Sequence, residues 1–106
     1  MVSVFKNNAS TYLAEALSST ALSVLVEDGS VFPQPGVDEF FNATIQSVNN
    51  NKEIVKVTSR SGDTLNIERA KEGTLAIPFP AGSRIELRVT KENLENTIVS
   101  GDYLLL

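Results

Sequence analysis

The side chains best suited to chemistry in this chain are carboxylates, serines and lysines, because it contains no histidine and no cysteine. A glycosidase needs two carboxylates that face each other across a cleft. The acidic residues here lie at predicted strand edges or turns, where a solvated charge is the ordinary role. The sequence therefore predicts no catalytic carboxylate pair. The acidic residues considered are Asp38, Glu39, Glu68, Glu72 and Glu86.

Nucleophilic and metal chemistry have equally little support. Ser59, Ser61 and Ser83 lie in predicted turns, and none can have a histidine to activate it. Nothing around Lys56 or Lys71 provides the apolar pocket that lowers a lysine pKa. Neither an aspartate-rich calcium loop nor a glycine-rich phosphate loop is present. We therefore expect a protein that is not an enzyme and that holds no metal and no cofactor.

Size and charge narrow the possible partners. A chain of 106 residues with 42% hydrophobic residues is one small globular domain. Its net charge is −4, and its lysines and arginines form no cluster that would bind nucleic acid. No apolar run approaches the roughly 20 residues of a membrane span, and the first residues do not resemble a signal peptide. We therefore expect neither a nucleic acid nor a membrane as partner.

Short segments of alternating polar and apolar residues dominate the chain, which is typical of β-strands with one buried face. Turn signals rich in Asn, Asp, Ser and Gly separate them. The first segment, TYLAEAL, would also suit a helix, but it is too short for a free-standing one. The predicted fold is mainly β: a small antiparallel β-barrel or sandwich with an extended N-terminal arm, a short C-terminal helix and a tail. The predicted strands are 12–16, 22–26, 39–48, 54–58, 64–69 and 84–89.

The predicted organisation has three parts. Residues 1–10 form an arm, residues 11–90 form the β-barrel or sandwich domain, and residues 91–106 form a short helix and an apolar tail. Thr90 is a suitable N-cap for that helix. The apolar ends either fold back onto the barrel or dock on a neighbouring protein, and an extended arm can add a strand to a neighbour's sheet. The predicted interface residues are Val2, Val4, Phe5, Tyr103, Leu104, Leu105 and Leu106.

A compact bend follows the fifth predicted strand, and Arg69 and Glu72 flank it. An arginine in such a place forms a structural ion pair or binds backbone carbonyls. An alternative is that Arg69 fixes the bend so that Gly73 and Thr74 present a docking surface. We predict that Arg69, Glu72, Gly73 and Gly82 together hold the shape of the barrel.

The segments EIVKVTSRSGDTLNIERAKEGT and FPAGSRIELRVT resemble a small β-rich module of tailed-bacteriophage structural proteins. The resemblance covers most of residues 5–90. In that family one strand ends in V-T-x-R-S-G-D-x-L, the next ends in R-x-x-E-G-T, and F-x-A-G-x-R-[VI]-E-L-R follows. The matching residues are Val57, Thr58, Arg60, Ser61, Gly62, Asp63, Leu65, Arg69, Glu72, Gly73, Thr74, Phe79, Ala81, Gly82, Arg84, Ile85, Glu86, Leu87 and Arg88.

The resemblance implies a virion structural protein, made in the host cytoplasm, that joins tail or fibre components by protein–protein contacts. Its partners would be other tail, fibre or capsid proteins, and it would be a homo-oligomer in a symmetric assembly. No fibre shaft follows the tail, so a separate small adaptor is expected. One alternative is a capsid decoration or head-fibre base protein. Another is a carbohydrate-binding module, which the absence of tryptophan and a predicted core position for Tyr12 disfavour.

Overall fold

The computed structural model describes residues 2–4 and 9–87, with only the backbone of residues 2 and 3. Seven strands account for nearly half of this part of the chain, and a single 3₁₀ turn covers Gly29–Val31. Five of the six predicted strands overlap an observed strand over most of their length, whereas the predicted strand 12–16 shares only Tyr12 with an observed strand. The strands are β1 (Val2–Ser3), β2 (Ser10–Tyr12), β3 (Ser23–Leu25), β4 (Glu39–Gln46), β5 (Lys52–Ser61), β6 (Thr64–Lys71) and β7 (Arg84–Leu87).

Six of the strands form one antiparallel sheet in the order β2-β7-β4-β5-β6-β3. The sheet curls into a half-barrel, and its two end strands approach each other at a single bridge between Leu13 and Val26. Two hydrogen bonds flank that bridge, from Ala14 N to Leu25 O and from Glu27 N to Tyr12 O, each 2.9 Å long. The prediction of a mainly β antiparallel fold is therefore confirmed, and the sheet is a curled single layer.

The core lies inside the curl and follows the alternation of the strands. Phe41, Ala43 and Ile45 point inward from β4 and are fully buried. Val55 and Val57 of β5 lie opposite Ala43 and Phe41 in the register. Large apolar side chains contribute about 1.5–3 kcal/mol each when they are fully buried. The other buried apolar residues of the inner cluster are Ala9, Leu13, Leu17, Val24, Val26, Phe32, Leu65, Ile67, Phe79 and Ile85.

The longest hairpin joins β5 and β6 through the predicted turn at Gly62 and Asp63. Gly62 has φ +61°, a conformation that glycine adopts without a steric penalty. The Asp63 carboxylate accepts a 2.8 Å hydrogen bond from the backbone N–H of Gly29. A Cβ on Gly29 would lie only 2.2 Å from the carbonyl oxygen of Gly62. The 3₁₀ turn and the hairpin turn are therefore in close backbone contact.

The predicted extended N-terminal arm is not supported where the chain is described. Val2–Ser3 forms the parallel strand β1 beside Glu39 and Phe40 of β4. Val4 donates a 2.8 Å hydrogen bond to Phe40 O, and its side chain packs against the core. Pairing within the chain satisfies backbone groups that an extended arm would leave to solvent. The predicted helix and tail over residues 91–106 lie outside the described residues.

Candidate functional site

A buried ion pair between Glu53 and Arg69 lies where several segments of the chain meet. Glu53 is on the inner face of β5, in phase with Val55 and Val57, and it is completely buried. The Arg69 guanidinium binds its carboxylate with both donors, at 2.7 Å from Nε to Oε2 and 2.8 Å from Nη2 to Oε1. Such a two-point contact is stronger and more directional than a single hydrogen bond.

Both carboxylate oxygens of Glu53 and both terminal nitrogens of Arg69 have further partners. The two Glu53 oxygens also accept hydrogen bonds from the backbone N–H groups of Ala70 and Ile77, both 3.0 Å long. Arg69 donates to the carbonyls of Ser18, Ala21 and Ile77 at 2.5, 3.0 and 2.8 Å. We call Glu53, Arg69 and these backbone partners the ion-pair hub. It joins the β2–β3 connection, β5, the end of β6 and the segment before β7.

The environment of Glu53 keeps it ionised. Burial by itself would raise the pKa of the Glu53 carboxyl. The Arg69 hydrogen bonds, the N–H groups of Ile77 and Ala70 and the Arg69 charge oppose that effect and hold the pKa below its usual value. The hub is thus a charged structural crosslink at neutral pH.

The four residues predicted to hold the barrel's shape lie around this hub and on the adjoining turns. Arg69 is its centre, and its carboxylate partner is Glu53. Glu72 accepts a 2.9 Å hydrogen bond from the amide Nδ2 of Asn42 on β4. Gly73 and Gly82 have φ +84° and +86°, and Gly82 N donates a 2.8 Å hydrogen bond to the carbonyl of residue 13.

Sequence reasoning missed the role of Glu53. The signal was its position two residues before Val55 and four before Val57, on the apolar face of a strand. A charge in phase with core residues requires a buried partner. Arg69, on the neighbouring strand β6, is the available cation.

The first exposed feature of interest is the outer edge of β3. Its inner edge pairs with β6, with Val24 opposite Leu65. In this register three backbone groups point away from β6: the N–H of Ser23, the C=O of Ser23 and the N–H of Leu25. None of the three forms a hydrogen bond with a backbone group of the described chain. A cleft of about 460 Å³ adjoins this edge, between β3 and residues 15–18. Leu22 and Leu25 are 66% and 36% exposed beside it.

The second exposed feature is a row of side chains across four neighbouring strands. Tyr12 of β2 lies opposite Arg84 of β7, Arg84 lies opposite Gln46 of β4, and Gln46 lies opposite Lys52 of β5. Residues in direct register share one face of the sheet. We call these four residues the Tyr12 row. Tyr12 is 49% exposed, so the predicted core position of its ring is wrong.

A cleft of about 270 Å³ opens beside the Tyr12 row, at the hairpin that joins β4 to β5. Gln46, Arg84 and Tyr12 line it together with Ser47 and Asn50. The Nε2 of Gln46 donates a 2.8 Å hydrogen bond to the Oδ1 of Asn50. Aromatic, amide, hydroxyl and guanidinium groups therefore converge at one edge of the sheet.

The predicted interface residues are only partly within the described chain. Val4 is half-buried against the core, and Val2 is described by its backbone alone. Phe5, Tyr103, Leu104, Leu105 and Leu106 lie outside the described residues. Their role as an interface stays a prediction.

No protein-family model and no curated protein matches this chain. Over residues 2–4 and 9–87, no group of three or more acidic side chains is placed to hold a metal ion. Within the same ranges, no helix has the length and apolar character needed to cross a membrane.

Proposed function

We propose that this protein is a structural subunit of a tailed-phage virion, an adaptor that joins tail or fibre components by protein–protein contacts. The observation that carries the proposal is the outer edge of β3, with outward-facing backbone groups and two exposed leucines beside a cleft. An extended segment of a neighbouring protein can bond to such an edge as an added strand. The resemblance of the β5–β7 region to phage modules indicates what kind of neighbour it is.

The partner segment is apolar and extended. Leu22 and Leu25 offer apolar area at the edge, and Leu17 and Val24 are buried beside the adjoining cleft. Among the described residues that line the cleft, Glu15 is the only charged one. A basic residue at one end of the partner segment would complement it.

An exposed strand edge can pair with other chains and cause aggregation, so proteins usually protect it with a charged residue, a proline or a covering helix or loop. Three residues of β3 alone provide few hydrogen bonds, so a single contact is weak. Many copies in a symmetric particle multiply such contacts into a stable attachment. A short edge of which only the Leu25 carbonyl is bonded by the described chain is therefore well suited to a repeated subunit.

The test is a single charge placed on the edge, Leu25→Lys, with Leu75→Lys as matched control. Leu75 is 76% exposed and lies outside β3, so both changes add one charge at an exposed site. We expect Leu25→Lys to fold normally but to be absent from purified particles, whereas Leu75→Lys is incorporated at the wild-type level. Quantitative mass spectrometry of the particles measures both.

A second variant tests the backbone directly. Ser23→Pro removes only an outward-facing N–H, because the bonds to β6 are made by residues 22, 24 and 26. It should fold and fail to assemble. If neither variant reduces incorporation, or if the wild-type protein never enters particles, the proposal is wrong. The copy number in particles separates the tail adaptor, at a few tens or fewer, from a capsid decoration protein at hundreds.

A further inference from the structure

We propose that the Tyr12 row and the cleft beside it form a binding site for an acidic saccharide, a function separate from the proposed virion contacts at β3. The row presents an aromatic ring at one end and cationic groups further along it. A sugar ring has an apolar C–H face, hydroxyls at its rim and, in uronic acids, one carboxylate. The residues offer a partner for each of these groups.

The aromatic platform is Tyr12. Tyr12 is 49% exposed on the outer face of an edge strand, while its neighbours Thr11 and Leu13 are buried. Large exposed aromatic side chains bring apolar area together with a polar tip. The strand fixes the backbone of Tyr12 by pairing it with Arg84, so the ring is carried by a rigid element.

The cations are Arg84 and Lys52. Arg84 Nε donates to Ser10 Oγ at 3.3 Å and lies 3.8 Å from the Glu86 carboxylate. That ion pair is long and its arginine side chain is 55% exposed, so it restrains the guanidinium little. The two terminal nitrogens of Arg84, and the Lys52 ammonium, make no hydrogen bond or ion pair within the described part of the chain.

An independent observation that points to a ligand is Ser47. Ser47 is one of the residues that line the cleft and is 8% exposed, and its Oγ is buried without a hydrogen-bond partner in the described chain. Buried hydroxyls normally have a partner, and an unpaired one is costly. A ligand hydroxyl seated in the cleft would provide that partner. Asn50, at φ +66°, brings its amide to the same cleft.

The geometry favours an extended ligand over a single small anion. Four strands about 4.8 Å apart give the row a length of about 14 Å, which exceeds one sugar ring. A polyphosphate chain fits less well, because it has no apolar ring face to lie on Tyr12 and its charges are closer together than Arg84 and Lys52, which are two strands apart. An oligouronate has one carboxylate on each ring, so the carboxylates of different rings can pair with Arg84 and with Lys52.

The probes are an oligogalacturonate, the neutral galactose oligomer of the same length and an oligothymidylate, each titrated into the full chain by calorimetry. We expect the oligogalacturonate to bind with a dissociation constant in the millimolar range or lower, and the neutral oligomer to bind clearly more weakly. Added salt should weaken the binding of the oligogalacturonate. No galacturonate binding, equal binding of the neutral oligomer, or tighter binding of the oligothymidylate overturns the proposal.

Variants locate the site. Tyr12→Ala should weaken galacturonate binding roughly tenfold, while Tyr12→Phe, which keeps the ring, should stay within about twofold of wild type. Arg84→Gln should reduce the preference for the acidic oligomer, because Lys52 is then the one remaining cation of the Tyr12 row.

Ser47→Ala separates a binding role from a structural one. It deletes a hydroxyl that has no partner in the free protein, so thermal stability should be unchanged or higher. Galacturonate binding should nevertheless weaken severalfold. A loss of stability with unchanged binding contradicts the role assigned to Ser47, and unchanged binding by Tyr12→Ala overturns the site itself.

Discussion

Replacing Glu53 by glutamine tests whether the ion-pair hub holds the half-barrel together. Each carboxylate oxygen accepts two N–H donors: Oε1 from Arg69 Nη2 and Ile77 N, and Oε2 from Arg69 Nε and Ala70 N. A glutamine must put its NH₂ group in place of one oxygen. In either orientation that group faces one arginine N–H and one backbone N–H, so two hydrogen bonds are replaced by two donor–donor contacts.

The magnitude follows from the burial of both partners. The side chains of Arg69 and Glu53 are 7% and 0% exposed, so Glu53→Gln leaves a guanidinium charge buried without its counterion. Removing one partner of a buried pair costs about 3–5 kcal/mol. This is a large part of the roughly 5–15 kcal/mol stability of a small domain. The melting temperature should fall by at least about 12 °C.

The assay is thermal and urea unfolding followed by circular dichroism, with Glu68→Gln as matched control. Glu68 is on β6, forms a 3.0 Å ion pair with Lys71, and has a side chain that is 51% exposed. The same chemical change there should cost about 0.5 kcal/mol or less. The hub does not stabilise the fold as argued if Glu53→Gln lowers the free energy of unfolding by less than about 1 kcal/mol. The same conclusion follows if Glu53→Gln lowers it no more than Glu68→Gln does.

Two further predictions concern pH and backbone contact. Because the folded-state pKa of Glu53 is lowered, its contribution to stability is present at neutral pH and is lost as the pH falls below about 4. The difference in urea midpoint between wild type and Glu53→Gln should therefore narrow between neutral pH and about pH 3, and a constant difference would contradict this sign. Gly29→Ala places a Cβ 2.2 Å from the backbone oxygen of Gly62 and should cost about 2 kcal/mol or more in thermal unfolding. Gly36→Ala is its control, since the nearest atom there is a flexible Glu39 side-chain oxygen at 3.2 Å, and equal losses in the two variants would refute the role of the contact.

Alternation of residue types and the turn signals between segments were sufficient to predict β3 to β7. The turn at Gly62 and Asp63 was visible for the same reason. These signals were not sufficient for β1, which was predicted as an arm, or for β2, which meets the predicted strand 12–16 only at Tyr12. The order of the strands in the sheet could not be predicted, because β7 pairs with both β2 and β4 across long sequence separations. No local sequence pattern indicates which strands pair at such separations.

The faces of the edge strands were equally ambiguous. The segment around Tyr12 alternates, but alternation does not say which of its two faces turns inward. Thr11 and Leu13 are the buried residues, and Tyr12 is outside. Val4 shows the opposite error, because the sequence predicts that it is part of an exposed arm. In the structure its side chain packs against the core beside β4.

The buried hub and the exposed β3 edge are physically connected. The chain leaves β2, makes the bridge between Leu13 and Val26, and then passes along the cleft beside β3 as residues 15–18. Arg69 binds the carbonyls of Ser18 and Ala21, which anchors this connection to the end of β6. The backbone groups of Ser23 that face away from β6 follow two residues after Ala21, next to that anchor. The same guanidinium that neutralises Glu53 therefore also holds the loop that borders the exposed edge of β3.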